Sequence, residues 1–134
     1  MIVDEQGDPR ASVCAEIVVH GAHEFYDFEA KYLDDAADLV VPADLPGEVA
    51  DRVRALSVRA FDALSCEGLA RCDFFLTPDG RVLINEVNTM PGFTPISMYP
   101  KMWQKSGMTY PELVDRLIDL AIERHHRRRR NTKH

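Results

Sequence analysis

The chain lacks most of the features that would take it out of the ordinary soluble class. No apolar run among its 134 residues is long enough to cross a membrane. The opening M-I-V-D-E-Q lacks the basic and then apolar succession of a secretory leader. Cys14, Cys66 and Cys72 are odd in number and lack metal-ligand spacing, so reduced thiols and a cytoplasmic setting are expected. No internal repeat or low-complexity linker interrupts the chain before its tail. Its length allows one domain with a modest core.

Positive charge is scarce until the end. Of 16 Lys and Arg, six lie from Arg124 onward, where there is no acid. The first 123 residues therefore carry 10 basic against 22 acidic groups, net −12. So acidic a body does not suit nucleic-acid binding. The run His125-His126-Arg127-Arg128-Arg129-Arg130 is expected to be a disordered, solvated tail, with phosphate holding as the alternative. Two adjacent histidines without partners make a poor metal site.

The informative stretch runs from Arg71 to Gly92, R-C-D-F-F-L-T-P-D-G-R-V-L-I-N-E-V-N-T-M-P-G. It reads as two strands joined by a type I turn over Thr77-Pro78-Asp79-Gly80. Alternation puts Arg71 and Asp73 on one face of the first strand, and Glu86 and Asn88 on one face of the second. If those faces coincide, a guanidinium, two carboxylates and an amide oxygen converge. The opposite faces carry Cys72, Phe74 and Leu76, then Leu83 and Val87, as core. Asn85 falls among them with no role of its own. Oxygen donors with no His or Cys suit a hard cation such as Mg²⁺. On spacing alone the alternative stays open that these are solvated outward charges, with Arg71 in an ordinary cross-strand salt bridge. The loop after the second strand, Asn88-Thr89-Met90-Pro91-Gly92-Phe93-Thr94, brings exposed backbone N–H groups near the proposed cation.

Flanking segments read as follows. The first dozen residues, with Gly7-Asp8-Pro9, suggest a hairpin turn or a frayed start. A strand is expected over Val13 to Val19. A helix is expected from about Pro46 to Ser65, burying Val49, Val53, Leu56, Ala60 and Leu64 and closed by Gly68. Thr94 as N-cap with Pro95 in the first turn would start a short helix, and Pro100 another that contains Trp103 and stops at Gly107. Thr109-x-x-Glu112 is a capping box for a last helix, which buries Leu113, Leu117, Leu120 and Ala121 with Val114 and Ile118.

R-x-D-F-F, then N-E-V-N-T-M-P-G-F-T, then I-S-M-Y-P resembles the C-terminal part of the D-alanine–D-alanine ligases, which are ATP-grasp enzymes. F-Y-D-F-E-A-K-Y from Phe25 to Tyr32 resembles the mobile loop over their active site. The resemblance spans roughly Ala15 to Arg124. It implies an α+β fold, the C-terminal half of an ATP-grasp domain, with a small antiparallel sheet and helices packed on one face. Residues 1–124 would form this partial domain, and 125–134 the tail.

It also implies roles. Asp73, Glu86 and Asn88 would hold Mg²⁺ (or Mn²⁺) against the phosphates of ATP, Glu86 thereby also contacting the nucleotide. Arg71 and the Gly92 N–H would stabilise an oxyanion. Lys31 would reach the phosphates, with Tyr26 and Phe25 near the nucleotide. Tyr32 would seal the loop through a Ser–Glu–Tyr set, and as tyrosine rather than phenylalanine it favours dipeptide over D-alanyl-D-lactate formation. Ser97 and Met98 would hold the carboxylate of the second D-alanine. Pro95 stands where Ser or Thr is more usual in the family.

The implied activity joins two D-alanines for peptidoglycan synthesis, in the cytoplasm, with neither nucleic acid nor membrane as partner. The family's glycine-rich loop and adenine hinge have no counterpart here. A missing N-terminal ligase portion, or a homodimer, is the expected completion. Competing readings are a non-catalytic fragment that binds Mg²⁺-nucleotide weakly and a different ATP-grasp carboxylate–amine ligase.

Overall fold

The structure, a computed structural model, describes residues 1–3, 7–19 and 37–131. Lys31, Tyr32, Tyr26 and Phe25, and with them the loop resemblance, lie outside the described residues. The elements in order are β1 (Ile2–Val3), β2 (Pro9–Arg10), β3 (Glu16–Val19), β4 (Ala37–Val40), α1 (Gly47–Ala63), β5 (Arg71–Leu76), β6 (Val82–Asn88), α2 (Met98–Lys105) and α3 (Tyr110–Asn131). The strands pair antiparallel as three ladders, β1–β2, β3–β4 and β5–β6, rather than as one sheet among the described residues. The α+β class holds.

The expected hairpin at the start is present, but it does not fray. Met1 and Ile2 are only 5% and 1% exposed. Ile2 bridges Leu69, the Ala70 N–H donates to the Met1 carbonyl at 3.2 Å, and the Tyr99 hydroxyl donates to the same carbonyl at 2.8 Å. The first residues are thus fixed by partners some seventy to a hundred positions away. The strand expected from Val13 begins only at Glu16.

Among the described residues, two apolar clusters make up the core. Ile2, Tyr99, Trp103, Leu113 and Leu120 join β1, α2 and α3, while Met1, Phe61 and Ala70 tie β1 and α1 to the approach to β5. Cys72 and Val87, a cross-strand pair, pack on the second cluster, so one face of the β5–β6 hairpin rests on α1. Of the expected stripe on α1, Val49, Val53, Leu56 and Ala60 are half-buried and Leu64 is 62% exposed, while the fully buried residues, Ser57 and Phe61, lie one position further on. The helix also ends earlier, at Leu64, with Ser65 in the left-handed region at φ +52°. The Cys66 and Ser65 N–H groups donate to the Phe61 and Asp62 carbonyls, which is a Schellman closure, so Gly68 is not the stop.

Thr94 does not cap a helix. It opens a turn in which the Ser97 N–H donates to its carbonyl at 2.9 Å, and α2 starts afterwards with Ser97 at the N-cap position. Pro100 lies inside that single helix, which closes at Gly107 by a second Schellman pair, Met108 N–H to Trp103 O and Gly107 N–H to Gln104 O. The capping box forms: Glu112 accepts from the Thr109 N–H at 2.7 Å and from its hydroxyl at 2.6 Å. Of the expected stripe on α3, Leu113 and Leu120 are buried and Leu117 packs on them. Ile118 and Ala121 are exposed instead. The helix then continues through the basic run to Asn131, where disorder was expected from residue 125. Arginine is a good helix former, and Arg124, Arg127 and Arg128 meet Glu67 along one side of the helix.

Candidate active site

The β5–β6 hairpin is built as the turn chemistry requires. The Gly80 N–H donates to the Thr77 carbonyl at 2.8 Å, and Gly80 takes the left-handed φ of +80° that a side chain would resist. The ladder pairs Arg71 with Asn88, Cys72 with Val87 and Asp73 with Glu86. Beyond Asp73 the register shifts, so that Phe74 faces Ile84. Asn85 is therefore the extra residue of a bulge, which explains why alternation alone gave it no role. The bulge also moves Leu83 to the opposite face from the one expected. Paired with Phe75, it shares the face of Arg71 and Asp73, and both are exposed, at 44% and 61%. Leu76 and Ile84 lie on the α1 side but outside its cover.

On the site face Arg71, Asp73 and Glu86 converge, and Asn88 shares that face as the ladder partner of Arg71. Arg71 donates from Nε and Nη2 to the two carboxylate oxygens of Asp73, both at 2.8 Å, and from Nη2 to Glu86 Oε1 at 3.1 Å. The bidentate fork fixes the Asp73 carboxylate as well as neutralising it. Side-chain exposures of 16%, 23% and 41% for Arg71, Asp73 and Glu86 put this cluster at the edge of solvent. Hydrogen bonding to Asp73, followed by the two carboxylate charges, raises the guanidinium further above its already high pKa, against the opposing effect of burial. One cation against two carboxylates leaves a net single negative charge. Asn88 Oδ1 accepts the Met90 N–H at 2.9 Å, which orients the amide and uses one of the oxygen's two lone pairs.

The loop after β6 is anchored by groups that sequence patterning did not single out. Phe93 sits between Tyr99 and Tyr110, at ring centroid distances of 5.9 and 5.5 Å, and its carbonyl accepts from the Tyr110 hydroxyl at 3.2 Å. Pro91 is buried. The loop brings Gly92 against Ser97: a Cβ on Gly92 would lie 3.2 Å from Ser97 Oγ. Ser97 Oγ accepts the Thr94 N–H at 3.0 Å and lies 2.8 Å from the Thr94 hydroxyl. Ser97 thus bonds back into the loop and makes no side-chain cap to α2. Two aromatic rings and one hydroxyl lying near in space but not in sequence leave no local signal, so this anchoring was not legible.

The donor set around Asp73 is all oxygen. Among the described residues no group of three or more His, Cys, Asp or Glu side chains could hold a metal ion, and the set here is two carboxylates and an amide. Such a set fits a hard divalent cation that keeps part of its shell for water or phosphate oxygens.

Residues 1–119 match the family model described as D-ala D-ala ligase C-terminus. The chain belongs to the D-alanine–D-alanine ligase family. A relative from Streptomyces griseus named D-alanine–D-alanine ligase is 63% identical over 123 residues, which are 92% of this chain and 31% of that protein. The ligase structure from Coxiella burnetii matches with a TM-score of 0.68 at 48% identity, covering 70% of this chain and 27% of that one. The Bacillus anthracis ligase complexed with ATP matches at TM-score 0.69 and 31% identity, covering 87% of this chain and 37% of its own. This ligase-family chain therefore spans about a third of the length of the curated relatives it matches. Its α+β arrangement is that of the C-terminal half of an ATP-grasp domain.

Proposed function

We propose that the chain supplies the C-terminal part of an ATP-dependent ligase that joins two D-alanines into the dipeptide used for peptidoglycan. The observation that carries this is the cluster of Arg71, Asp73 and Glu86, with Asn88 on the same face, at the end of a hairpin whose following loop seats Gly92 against Ser97. In the proposed reaction the first carboxylate takes the γ-phosphoryl group of ATP to give an acyl phosphate and ADP. The neutral amine of the second D-alanine then attacks that carbonyl carbon, its nitrogen loses a proton to solvent, and inorganic phosphate leaves with the carbon–oxygen bonding pair. Such chemistry depends mainly on positioning and charge stabilisation.

Asp73, Glu86 and Asn88 fit a resident Mg²⁺. When bound, that ion would offset the charge of the β- and γ-phosphates. Arg71 holds Asp73 and Glu86 through Nε and Nη2, neither of them through Nη1, and Arg71 and the Gly92 N–H would stabilise an oxyanion. Phe75 and Leu83 extend the site face as an exposed apolar platform suited to a nucleobase ring. Ser97 and the Met98 N–H, at the start of α2, suit the carboxylate of the second D-alanine. Lys31, Tyr32, Tyr26 and Phe25 keep their proposed roles at the phosphates, the loop seal and the nucleotide. The three cysteines are free thiols, which accords with the reducing cytoplasm proposed for this step. No described helix is long and apolar enough to cross a membrane.

The test is D-alanine-dependent phosphate release from ATP, measured with this chain alone and mixed with the N-terminal two-thirds of the Streptomyces griseus relative. Release that disappears in Glu86→Ala supports the ligase. Absence of release in both preparations refutes it in favour of a non-catalytic fragment.

A further inference from the structure

We propose that Thr94 is a positioning residue that turns the Ser97 hydroxyl into an obligate donor toward the incoming carboxylate; this rests on the reading of Ser97 as a carboxylate site. A serine hydroxyl has one hydrogen to give and two lone pairs to fill. One lone pair of Ser97 Oγ is filled by the Thr94 N–H at 3.0 Å. The Thr94 hydroxyl lies 2.8 Å away, and either oxygen can donate across that contact.

The direction of that second bond decides what Ser97 can do. If Ser97 donates to Thr94, its hydrogen is spent inside the loop and a ligand carboxylate would meet a lone pair, which repels it. If Thr94 donates, both Ser97 lone pairs are filled from within the loop. The Ser97 hydrogen then has no partner there and must point outward. A carboxylate selects the second arrangement, since it can only accept. Thr94 thus sets the polarity of Ser97 through two bonds, one from its backbone and one from its side chain.

Gly92 completes the arrangement from the other side. A methyl group there would press on Ser97 Oγ at 3.2 Å and crowd the hydroxyl. Phe93, held between Tyr99 and Tyr110, fixes the chain between Gly92 and Thr94 and so keeps the two in step. Of Ser97's two partners, only the Thr94 hydroxyl can be removed without altering the backbone. That makes it the informative group to change.

The test is a titration of the 134-residue chain with D-alanine, followed through the backbone amide signals of Gly92, Thr94, Ser97 and Met98 by NMR. Thr94→Val removes the hydroxyl and keeps the N–H. It is expected to weaken D-alanine about fivefold, the loss of one neutral hydrogen bond. Thr94→Ser, which restores the hydroxyl, is expected to recover the affinity, an outcome that a role in loop packing alone would not give. Ser97→Ala is expected to weaken it by more than tenfold, since it removes the donor itself. Thr94→Ala serves alongside Thr94→Val, so that misfolding of one variant leaves the comparison intact. Affinity unchanged in both Thr94 variants but lost in Ser97→Ala overturns the role of Thr94 and spares the carboxylate site. Amide signals that D-alanine leaves unmoved in the parent chain overturn the carboxylate site, and this inference with it.

Discussion

Replacing Arg71 by methionine keeps the aliphatic stem and deletes the guanidinium, which isolates what the charge cluster contributes. Three N–H···O contacts are lost, two of 2.8 Å to Asp73 and one of 3.1 Å to Glu86. Breaking a fully buried pair costs about 3–5 kcal/mol, because a charge is left without its partner. An exposed pair is worth about 0.2–1 kcal/mol. With side chains 16%, 23% and 41% exposed, this cluster falls between those limits. Two carboxylates would also remain directly opposite each other across the ladder, and they repel. A loss of about 2 kcal/mol is expected, seen as a urea midpoint about 1 M lower at unchanged m-value.

A double-mutant cycle sharpens the expectation. The bidentate contact with Asp73 should give a larger coupling to Arg71, measured with Asp73→Asn, than the single contact with Glu86, measured with Glu86→Gln. Arg71→Met within about 0.5 kcal/mol of the parent would mean a solvated outer face. Equal couplings to Asp73 and Glu86 would refute the fork geometry on which the proposed cation site is built.

Acidification should weaken the start of α3. Hydrogen bonds from the Thr109 hydroxyl and then the Thr109 N–H hold the Glu112 carboxyl below its ordinary pKa. A depressed acid stabilises the fold above its unfolded pKa, and that contribution is lost as pH falls through the folded pKa. Thermal melts compared with Glu112→Gln should therefore converge at low pH and separate above the ordinary glutamate range; parallel curves would deny the cap any role. Thiol reactivity gives an independent check of packing. Burial raises Cys72 and Cys14 above the ordinary thiol pKa, outweighing for Cys72 the nearby amino terminus and for Cys14 the nearby Arg54. Both should alkylate slowly at neutral pH in the native chain and at ordinary rates in urea, and fast native labelling of Cys72 would contradict its packing on the Met1, Phe61 and Ala70 cluster.

The parts of the site legible in the sequence are those governed by local periodicity. Arg71 and Asp73, and Glu86 and Asn88, could be assigned to faces because the ladder is regular between them, and Thr77 to Gly80 carry their turn in their own residue types. Periodicity failed at Asn85. A bulge without a glycine has no composition of its own, and one inserted residue reverses every face beyond it, which is why Leu83 was assigned to the wrong side. The error fell on the turn-proximal half of the hairpin and left the charged half untouched, since the bulge lies between them. Burial of Ile2 was hidden because its partner is Leu69, and no local pattern records such a pairing. The helix over Gly47–Ala63 was found but rotated, because adjacent apolar stripes at 3.6-residue spacing differ by one step and only Phe61 meeting Met1 and Ala70 decides between them.

The loop after β6 shows the limit most clearly. Thr94 and Ser97 are both good caps by type, so propensity cannot choose between them. In the fold neither side chain caps the helix; they bond to each other beside Gly92. Two cap-competent hydroxyls spent on one another leave the first turn of α2 without a side-chain acceptor. That is the condition under which an external carboxylate gains most by binding there.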